Sequence, residues 1–258
     1  MTDLVHPTAI IDPGARLGPR VRVGPYAIVG PRVTLDEGVA IAAHAVLEQD
    51  VRVGRDTRIG VGAVIGGEPQ DLKYDNEPTR VEIGADCVIR EYVTVNRGTA
   101  ATGLTTVGDR CFLMAYAHVG HDCVLEDDVI LANAVQLGGH VHLEAQVSIG
   151  GSTAIHQFAR IGTYAFVGGG SRVAQDVPPY AKAAGSPLKM YGINAVGLRR
   201  SGLSRDCRMA LKRAFRLLFN SDMTTSEAIE FLRAEGTTHT EVERLLDFFG
   251  TTERGVLV

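Results

Sequence analysis

The chain has 258 residues, of which 45% are hydrophobic, enough for one large domain and a small one. Its net charge of −4 at pH 7 excludes the basic footprint of a nucleic-acid-binding protein. No apolar stretch approaches the roughly 18 residues of a membrane-spanning helix and no signal pattern opens the chain, so the sequence predicts a cytoplasmic protein without an integral membrane segment.

An aliphatic residue recurs every six positions through most of the first two-thirds of the chain, and glycine often follows it, as in Leu17-Gly18. This period is typical of a hexapeptide parallel β-helix, an all-β solenoid in which three faces make one coil of about 18 residues. Residues one coil apart therefore stack. The aliphatic positions are Ile11, Leu17, Val23, Val29, Leu35, Ile41, Leu47, Val53, Ile59 and Ile65, then Ile83, Ile89 and Val95, then every sixth residue from Val107 to Val173.

Two polar segments, 66–80 and 96–106, interrupt the repeat. Both contain glycine and lack the aliphatic residue at the expected positions, so we predict loops that leave the coil. Insertions in solenoids usually map to a binding face. The first segment places Gln70, Asp71 and Lys73 close together, which favours binding, whereas the second is equally compatible with a passive loop.

Three of the four cysteines, Cys87, Cys111 and Cys123, occupy inward positions of the repeat. We expect them to be small core residues rather than a zinc site, because their spacing matches no zinc ribbon. Cys207 lies in a predicted helix. A thiol nucleophile is therefore not expected.

The repeat is followed by Pro178 and Pro179. Because proline cannot donate to a strand ladder, we expect the β-helix to end there. The sequence predicts a β-helix domain over 1–190 and a C-terminal domain over 191–258.

The C-terminal domain has helical periodicity. Ser204 is a suitable N-cap, and apolar residues follow it at helical spacing from Met209 to Phe219. Two shorter amphipathic helices are predicted over 226–233 and 240–249. The domain is thus a small helical appendage.

The histidines cluster in one part of the repeat. His121, Gly139 and Gln157 are each one coil apart and should share a column, and His140 should lie below Asp122. A lone histidine on a coil face is usually a surface residue, but this arrangement brings together an imidazole, a carboxylate and an unobstructed backbone N–H. The clustered histidines are His118, His121, His140, His142 and His156.

These groups suit acyl transfer. An imidazole can remove a proton from a hydroxyl near neutral pH, and a carboxylate on its other nitrogen fixes the tautomer. A glycine N–H can stabilise the oxyanion of a thioester. Since neither a serine elbow nor a reactive cysteine is present, direct attack by the acceptor hydroxyl is the simpler mechanism.

Several stretches closely resemble the UDP-N-acetylglucosamine O-acyltransferase family, and the resemblance runs from His6 to the C-terminal helices. It implies a left-handed β-helix, a homotrimer with active sites between neighbouring β-helices, and the first step of lipid A synthesis. The implied donor is an (R)-3-hydroxyacyl chain on the phosphopantetheine of acyl carrier protein, and the acceptor is the glucosamine 3-hydroxyl of UDP-N-acetylglucosamine. No metal or other cofactor is implied. The stretches are QDLKYDNEPTRVEIG, AHVGHDC, LGGHV, AIHQF, VGGGSRVAQDVPPY and GINAVGLRR.

The resemblance also assigns residues. His121 matches the catalytic base, Asp122 its orienting carboxylate and Gly139 the oxyanion donor. Two departures, Val196 in place of glutamate and Ser201 in place of a second arginine, affect the nucleotide end. The matched substrate-binding residues are Gln70, Asp71 and Lys73 for the sugar nucleotide, His118, His140, His156 and Gln157 for the cleft, Gly169 for the acyl chain, and Asn194 and Arg200 for distal nucleotide and phosphate contacts.

Two further sequence features concern the acyl donor. Arg205, Arg208 and Lys212 begin a basic face that continues to Arg216, which we interpret as a dock for acyl carrier protein, an ordinary solvated face being the alternative. Gly169 matches the family's hydrocarbon ruler, where glycine predicts a long chain of about fourteen carbons unless Phe166 closes the groove.

Three other functions fit parts of the sequence. The related UDP-3-O-acylglucosamine N-acyltransferase has a nucleotide-binding domain before its coils, for which the repeat here leaves no room. A γ-carbonic-anhydrase-like zinc enzyme would use His118, His121 and His140 as ligands but leave Asp122 and the first loop without a role. A non-catalytic solenoid would not need the histidine cluster. Within the preferred function, a 3-amino analogue of the acceptor sugar stays open.

Overall fold

The structure is a computed structural model that describes residues 4–252 and 254–257. The chain forms a left-handed parallel β-helix followed by a small helical region, as the sequence predicts. Most strands contain only two residues, because each face of a coil is one short strand followed by a turn. The strands are β1 Ile10–Ile11, β2 Arg16–Leu17, β3 Arg22–Val23, β4 Ile28–Val29, β5 Thr34–Leu35, β6 Ala40–Ile41, β7 Val46–Leu47, β8 Val51–Val53, β9 Arg58–Ile59, β10 Val64–Gly67, β11 Arg80–Ile83, β12 Val88–Ile89, β13 Thr94–Asn96, β14 Leu104–Val107, β15 Phe112–Leu113, β16 His118–Val119, β17 Val124–Leu125, β18 Ile130–Leu131, β19 Gln136–Leu137, β20 His142–Leu143, β21 Ser148–Ile149, β22 Ala154–Ile155, β23 Arg160–Ile161, β24 Phe166–Val167, β25 Arg172–Val173, β26 Ala181–Ala184 and β27 Lys189–Ile193.

From β1 to β26, consecutive strands belong to different sheets, so the chain winds around three sheets of 9, 8 and 10 strands, which are parallel except where β27 pairs with β26. The register is the one that the repeat predicts, with Ile10 opposite Ile28 and His118 opposite Gln136. The aliphatic ladder fills the interior: most of its members are buried, and the cysteines Cys87, Cys111 and Cys123 lie among them. The prediction that these thiols are core residues is confirmed.

Two loops interrupt the coil, and both are shorter than predicted. The first loop comprises residues 68–79 and the second loop residues 97–103. Leu104 to Thr106 were expected in the second loop but form a strand, since they pair in parallel with β11 from Arg80 onward. Gly66 and Gly67 belong to β10 and Arg80 belongs to β11, so these three residues do not lie in the first loop as predicted.

The corners of the coil adopt left-handed backbone conformations. Asp122, His140 and Phe158 lie at equivalent corners of three successive coils, with φ values of 58°, 60° and 65°. This conformation costs an L-residue roughly 1–2 kcal/mol, and Asp and His tolerate it better than most. The corners therefore present these side chains in a stacked column.

The prediction that the β-helix ends at Pro178 and Pro179 is wrong. Val177 bridges to Ile161 before the prolines, and β26 rejoins the parallel ladder after them. The prolines occupy the corner between two faces, where no ladder donor is required. The antiparallel strand β27 then pairs with β26, and the predicted boundary at residue 190 falls inside it.

The C-terminal helices are α1 Ala195–Arg200, α2 Arg205–Phe219, α3 Thr225–Glu235 and α4 Thr240–Phe248. Ser204 caps α2 by accepting a hydrogen bond from the backbone of Cys207, as predicted. The short helix α1 was not predicted, and Met209 is exposed instead of facing the core. In the described part of the chain, no helix is long and apolar enough to cross a membrane.

Candidate active site

The corner that follows β16 holds a histidine–carboxylate pair. His121 Nδ1 lies 2.8 Å from Asp122 Oδ2, and the Asp122 side chain is fully buried. The imidazole remains partly open to solvent, with 12% of its side chain exposed. The carboxylate therefore holds one ring nitrogen and leaves Nε2 available.

The second loop holds the Asp122 carboxylate in place. Thr99 donates to it from its backbone N–H and from Oγ1, the latter over 2.8 Å, and Thr102 Oγ1 also donates. Burial alone would raise the pKa of Asp122, but the hydrogen bonds from Thr102, His121 and Thr99 lower it. Asp122 is thus kept ionised. The six-residue repeat does not indicate these threonines, because they lie in a loop outside it.

Gly139 lies beneath the His121 ring. A Cβ atom at Gly139 would come within 2.4 Å of His121 Cε1, so the ring can take this position only above a glycine. Within the described residues, the N–H of Gly139 donates to no backbone acceptor. The column predicted from the repeat is therefore present, with a free N–H beside the imidazole.

Two further imidazoles flank this pair. His140 Nε2 lies 3.6 Å from Asp122 Oδ2, and its ring stacks on Phe158 at a centroid distance of 4.4 Å. Burial lowers the pKa of His140 despite the opposing charge of Asp122. His118 Nδ1 and Thr94 Oγ1 share a hydrogen bond of 2.7 Å. The pKa of His118 is lowered by burial and, to a smaller extent, by repulsion from His121. Both shifts favour neutral rings near neutral pH.

The first loop lies beside His121 and His140. Together with His121 and the second loop it lines an open cavity of about 650 Å³. The structure thus brings the predicted polar cluster of the first loop to the histidine column. The lining residues include Gln70, Asp71, Lys73, Tyr74, Glu77, Thr99, His121, His140, Gln157 and Phe158.

Asp122 and Gly139 lie behind His121 and do not line this cavity, and five further predicted site residues, among them His118 and Gly169, do not line it either. His156 is exposed, and its Nδ1 bonds to the carbonyl of Gln157. Gly169 stacks above Gly151, where a Cβ atom would lie 3.0 Å from the Gly151 oxygen. The remaining two, Asn194 and Arg200, lie in the helical region.

Asn194 has a structural role within the chain. Its side chain caps α1 by accepting from Gly197 N–H and donates to the carbonyl of Tyr164 over 2.9 Å. Arg200 is exposed in the last turn of α1. Of the two departures, Val196 is half-exposed and Ser201 bonds back to Leu198.

The site could hold a metal only through a different set of ligands from the predicted zinc triad. Ligand atoms of His121, Asp122 and His140 lie within 4.8 Å of one another, whereas His118 is not in this group. Asp122 already accepts hydrogen bonds from Thr99, Thr102 and His121. This engagement leaves the carboxylate poorly placed to ligate an ion. A second group, Cys207, His239 and Glu241, lies in the helical region.

The basic face of α2 borders a groove of about 910 Å³. Lys212 and Arg216 are exposed along it, whereas Arg208 donates to the Leu203 carbonyl and Arg213 pairs with Glu235. The groove floor is apolar, formed in part by Phe215, Met209 and Ile193. A cationic rim above an apolar groove is therefore present beside α2.

Comparisons with known proteins give one consistent family. A family model described as "UDP N-acetylglucosamine O-acyltransferase; Domain 2" matches residues 176–257, and a bacterial transferase hexapeptide model matches residues 104–139. The chain is 53% identical to the acyl-[acyl-carrier-protein]–UDP-N-acetylglucosamine O-acyltransferase of Synechocystis sp., covering 88% of this chain and 83% of that protein. It is 50% identical to the protein of the same name from Alkalilimnicola ehrlichii, covering 76% of each.

Solved structures agree with the sequence relatives. LpxA from Acinetobacter baumannii superimposes with a TM-score of 0.96 at 40% identity, covering 99% of this chain and 100% of that one. UDP-N-acetylglucosamine acyltransferase from Campylobacter jejuni gives a TM-score of 0.94 at 36% identity, covering 98% and 99%. The likeness therefore includes both the β-helix and the helical region.

Proposed function

This chain belongs to the UDP-N-acetylglucosamine O-acyltransferase family, and on that premise we propose how its residues carry out the reaction. It is an acyltransferase that moves an acyl chain from acyl carrier protein to UDP-N-acetylglucosamine, the first step of lipid A biosynthesis. The acceptor atom is the glucosamine 3-hydroxyl and the donor is an (R)-3-hydroxyacyl thioester. The observation that carries the mechanism is the His121–Asp122 pair beside the free N–H of Gly139.

His121 acts as the general base. Its Nδ1 donates to Asp122, which leaves Nε2 to take the proton of the acceptor hydroxyl as that oxygen attacks the thioester carbon. The ionised Asp122 then stabilises the imidazolium that forms. Such a positioned base contributes a rate factor of about 10²–10⁴.

Gly139 supplies the oxyanion donor. As the acceptor oxygen bonds to the thioester carbon, negative charge develops on the carbonyl oxygen, and a backbone N–H aimed at that oxygen lowers the barrier by roughly 3 kcal/mol. The intermediate collapses by breaking the carbon–sulfur bond. The leaving phosphopantetheine thiolate takes the proton from His121, which restores the neutral imidazole.

Direct attack by the acceptor is favoured over an acyl-enzyme. All four cysteines are buried, and burial raises the pKa of Cys123 to about 12 and, together with Glu241, that of Cys207 to about 11. Thiols with such pKa values are poor nucleophiles at neutral pH. We propose that no metal or other cofactor takes part, the phosphopantetheine being carried by the donor protein.

The two substrates approach from different sides. The first loop, through Gln70, Asp71 and Lys73, grips the sugar nucleotide, since these side chains face the same cavity as His121. The basic face along Lys212 and Arg216 receives the acidic carrier protein, and Gly169 leaves room for a long acyl chain. Charge complementarity of this kind mainly raises the association rate.

We propose that the active protein is a homotrimer. Asn194, Arg200 and Gly169 match substrate-binding positions of the family but do not line the cavity of His121 within one chain. A neighbouring subunit would supply them. A sedimentation mass of three chains is expected, and a monomer with full activity would refute the proposal.

We also propose a cytoplasmic location. Its support is the four free cysteines, which fit a reducing compartment.

The function is tested by incubating the purified protein with a panel of (R)-3-hydroxyacyl carrier proteins and UDP-N-acetylglucosamine, or its 3-amino analogue. Mass spectrometry should find one acyl group at the sugar 3-position, and turnover should survive a chelator. Transfer to an amine of an already acylated sugar would instead support the N-acyltransferase. Activity lost with a chelator and restored by zinc would support the zinc enzyme.

A further inference from the structure

Arg97, the first residue of the second loop, is a buried cation with only 2% of its surface exposed. Its Nη1 donates to the carbonyl of Gly66 over 2.5 Å, and its Nη2 donates to the Tyr74 hydroxyl over 3.0 Å. The guanidinium also lies 6.0 Å from the centroid of the Tyr74 ring, within reach of a cation–π contact. Its side-chain contacts thus go to the first loop and to the strand that leads into it.

Burying this cation lowers the stability of the folded protein. Across residues 4–252 and 254–257, no carboxylate forms an ion pair with Arg97, and its Nε has no hydrogen-bond partner. A buried charge without a counter-charge is less stabilising than an apolar side chain of similar volume. Stability alone therefore does not explain an arginine at this position, whereas fixing Tyr74 does.

The segment that Arg97 begins also holds the catalytic carboxylate. Thr99, two residues later, donates twice to Asp122, and the next residue, Ala100, donates its N–H to Glu77 of the first loop over 2.9 Å. The backbone hydrogen bonds at Glu77, chiefly that from Asp75, also lower the pKa of Glu77. One short segment thus bonds to the first loop on one side and to Asp122 on the other.

We propose that Arg97 is a positioning residue for the acceptor. Through Tyr74 it fixes the first loop relative to the His121–Asp122 pair, so that the bound sugar presents its 3-hydroxyl to His121 Nε2. This inference rests on the proposed function, in which the first loop grips the sugar nucleotide. Arg97 itself does not line the cavity and acts through Tyr74.

The test compares Arg97→Lys, Tyr74→Phe and the double variant. A lysine lacks the two guanidinium nitrogens with which Arg97 bonds its two partners, and phenylalanine removes the hydroxyl that accepts from Arg97 and donates to the Glu77 carbonyl. Each single change is expected to raise the KM for UDP-N-acetylglucosamine about ten- to hundredfold, with the donor KM unchanged, as for the loss of one hydrogen bond to a charged group. The effect of the double variant is expected to be well below the sum of the two single effects, because both changes break the Arg97–Tyr74 contact.

Two control variants calibrate the measurement. Arg90→Lys alters an exposed arginine that pairs with Glu91 away from both loops and should change nothing. Asp71→Ala, in the wall of the cavity, should raise the acceptor KM. A folded Tyr74→Phe protein with the wild-type acceptor KM would overturn the inference, as would additive effects in the double variant or a lowered unfolding temperature without a change in KM.

Hydrogen exchange without substrates separates this inference from the proposed function. Residues 68–79 should lose protection in Arg97→Lys relative to the wild type, whether or not the protein turns over these substrates. Unchanged protection would overturn the role of Arg97. If Arg97→Lys loses this protection but the wild-type protein transfers no acyl group, only the proposed function would be overturned.

Discussion

The imidazole of His121 occupies the space that a side chain at Gly139, one coil further along the chain, would fill. A Cβ atom there would lie 2.4 Å from Cε1 and 2.5 Å from Nε2 of the ring. The stacking of the coils therefore brings the proposed base and the proposed oxyanion donor into van der Waals contact. Any residue other than glycine at position 139 must displace the ring.

Gly139→Ala is predicted to lower kcat about 10²–10³-fold with little change in either KM, because the new methyl group moves both catalytic groups from their positions. Steady-state kinetics on a variant with an unchanged unfolding temperature measures this. Gly250→Ala is the matched control, since a Cβ atom there meets only one backbone oxygen, at 3.5 Å. A Gly139→Ala protein with the kcat of the control would contradict the proposed geometry.

Asp122→Asn is predicted to change the pH dependence of stability. The pKa of Asp122 is lower in the folded protein than its value of about 3.9 in an unfolded chain, so the ionised carboxylate stabilises the fold above that pH. This contribution is lost as the pH falls through the lowered pKa. The free energy of unfolding of wild type and variant, measured by urea titration, should differ most near pH 7 and converge below about pH 4.

The exposed Asp75→Asn variant is the control for this series and should follow the wild type at every pH. A gap between wild type and Asp122→Asn that stays constant down to pH 2 would mean that the charge of Asp122 does not contribute to stability.

The basic face predicts a salt-dependent donor KM. Raising the ionic strength from 0.05 to 0.5 M shortens the Debye length to less than about 5 Å and should weaken binding of the carrier protein. Lys212→Glu combined with Arg216→Glu should raise the donor KM about tenfold and leave the acceptor KM unchanged. Arg16→Glu, in the first coil, is the control. A donor KM that responds to neither salt nor charge reversal would show that these residues do not bind the carrier protein.

Gly169→Met is predicted to shorten the preferred acyl chain. Gly169 stacks on Gly151, so neither residue of this column has a side chain that could block a long acyl tail. Each methylene excluded from the groove forfeits about 0.8 kcal/mol of burial, close to fourfold in preference per carbon. Competition between donors of different length measures the optimum. A wild type that already prefers ten carbons, or a variant with the same optimum, would place the ruler elsewhere, for instance at Phe166.

Much of the site followed from the repeat. In a solenoid each coil contacts only its neighbours, so the six-residue period was enough to place His121 above Gly139 and His140 beside Asp122. The loops break this period. For that reason the sequence indicated that the first loop binds something but did not reveal that Thr99 and Thr102 hold Asp122.

The ends of elements were less predictable. The rule that proline excludes a ladder position is correct, but Pro178 and Pro179 lie at a corner where the ladder needs no donor. Helix α1 has only six residues, too short for periodicity to indicate it, and it is stabilised by the Asn194 cap.

The most direct test of the central claim is the single-turnover rate of His121→Ala at saturating substrate. We predict a loss of about 10²–10⁴-fold with the fold preserved, because the substitution removes the imidazole that Asp122 holds beside Gly139. His142→Ala is the matched control, since His142 pairs with Glu126 outside the cavity and should retain the wild-type rate. A correctly folded His121→Ala protein that turns over as fast as the His142→Ala protein would contradict the assignment of His121 as the general base.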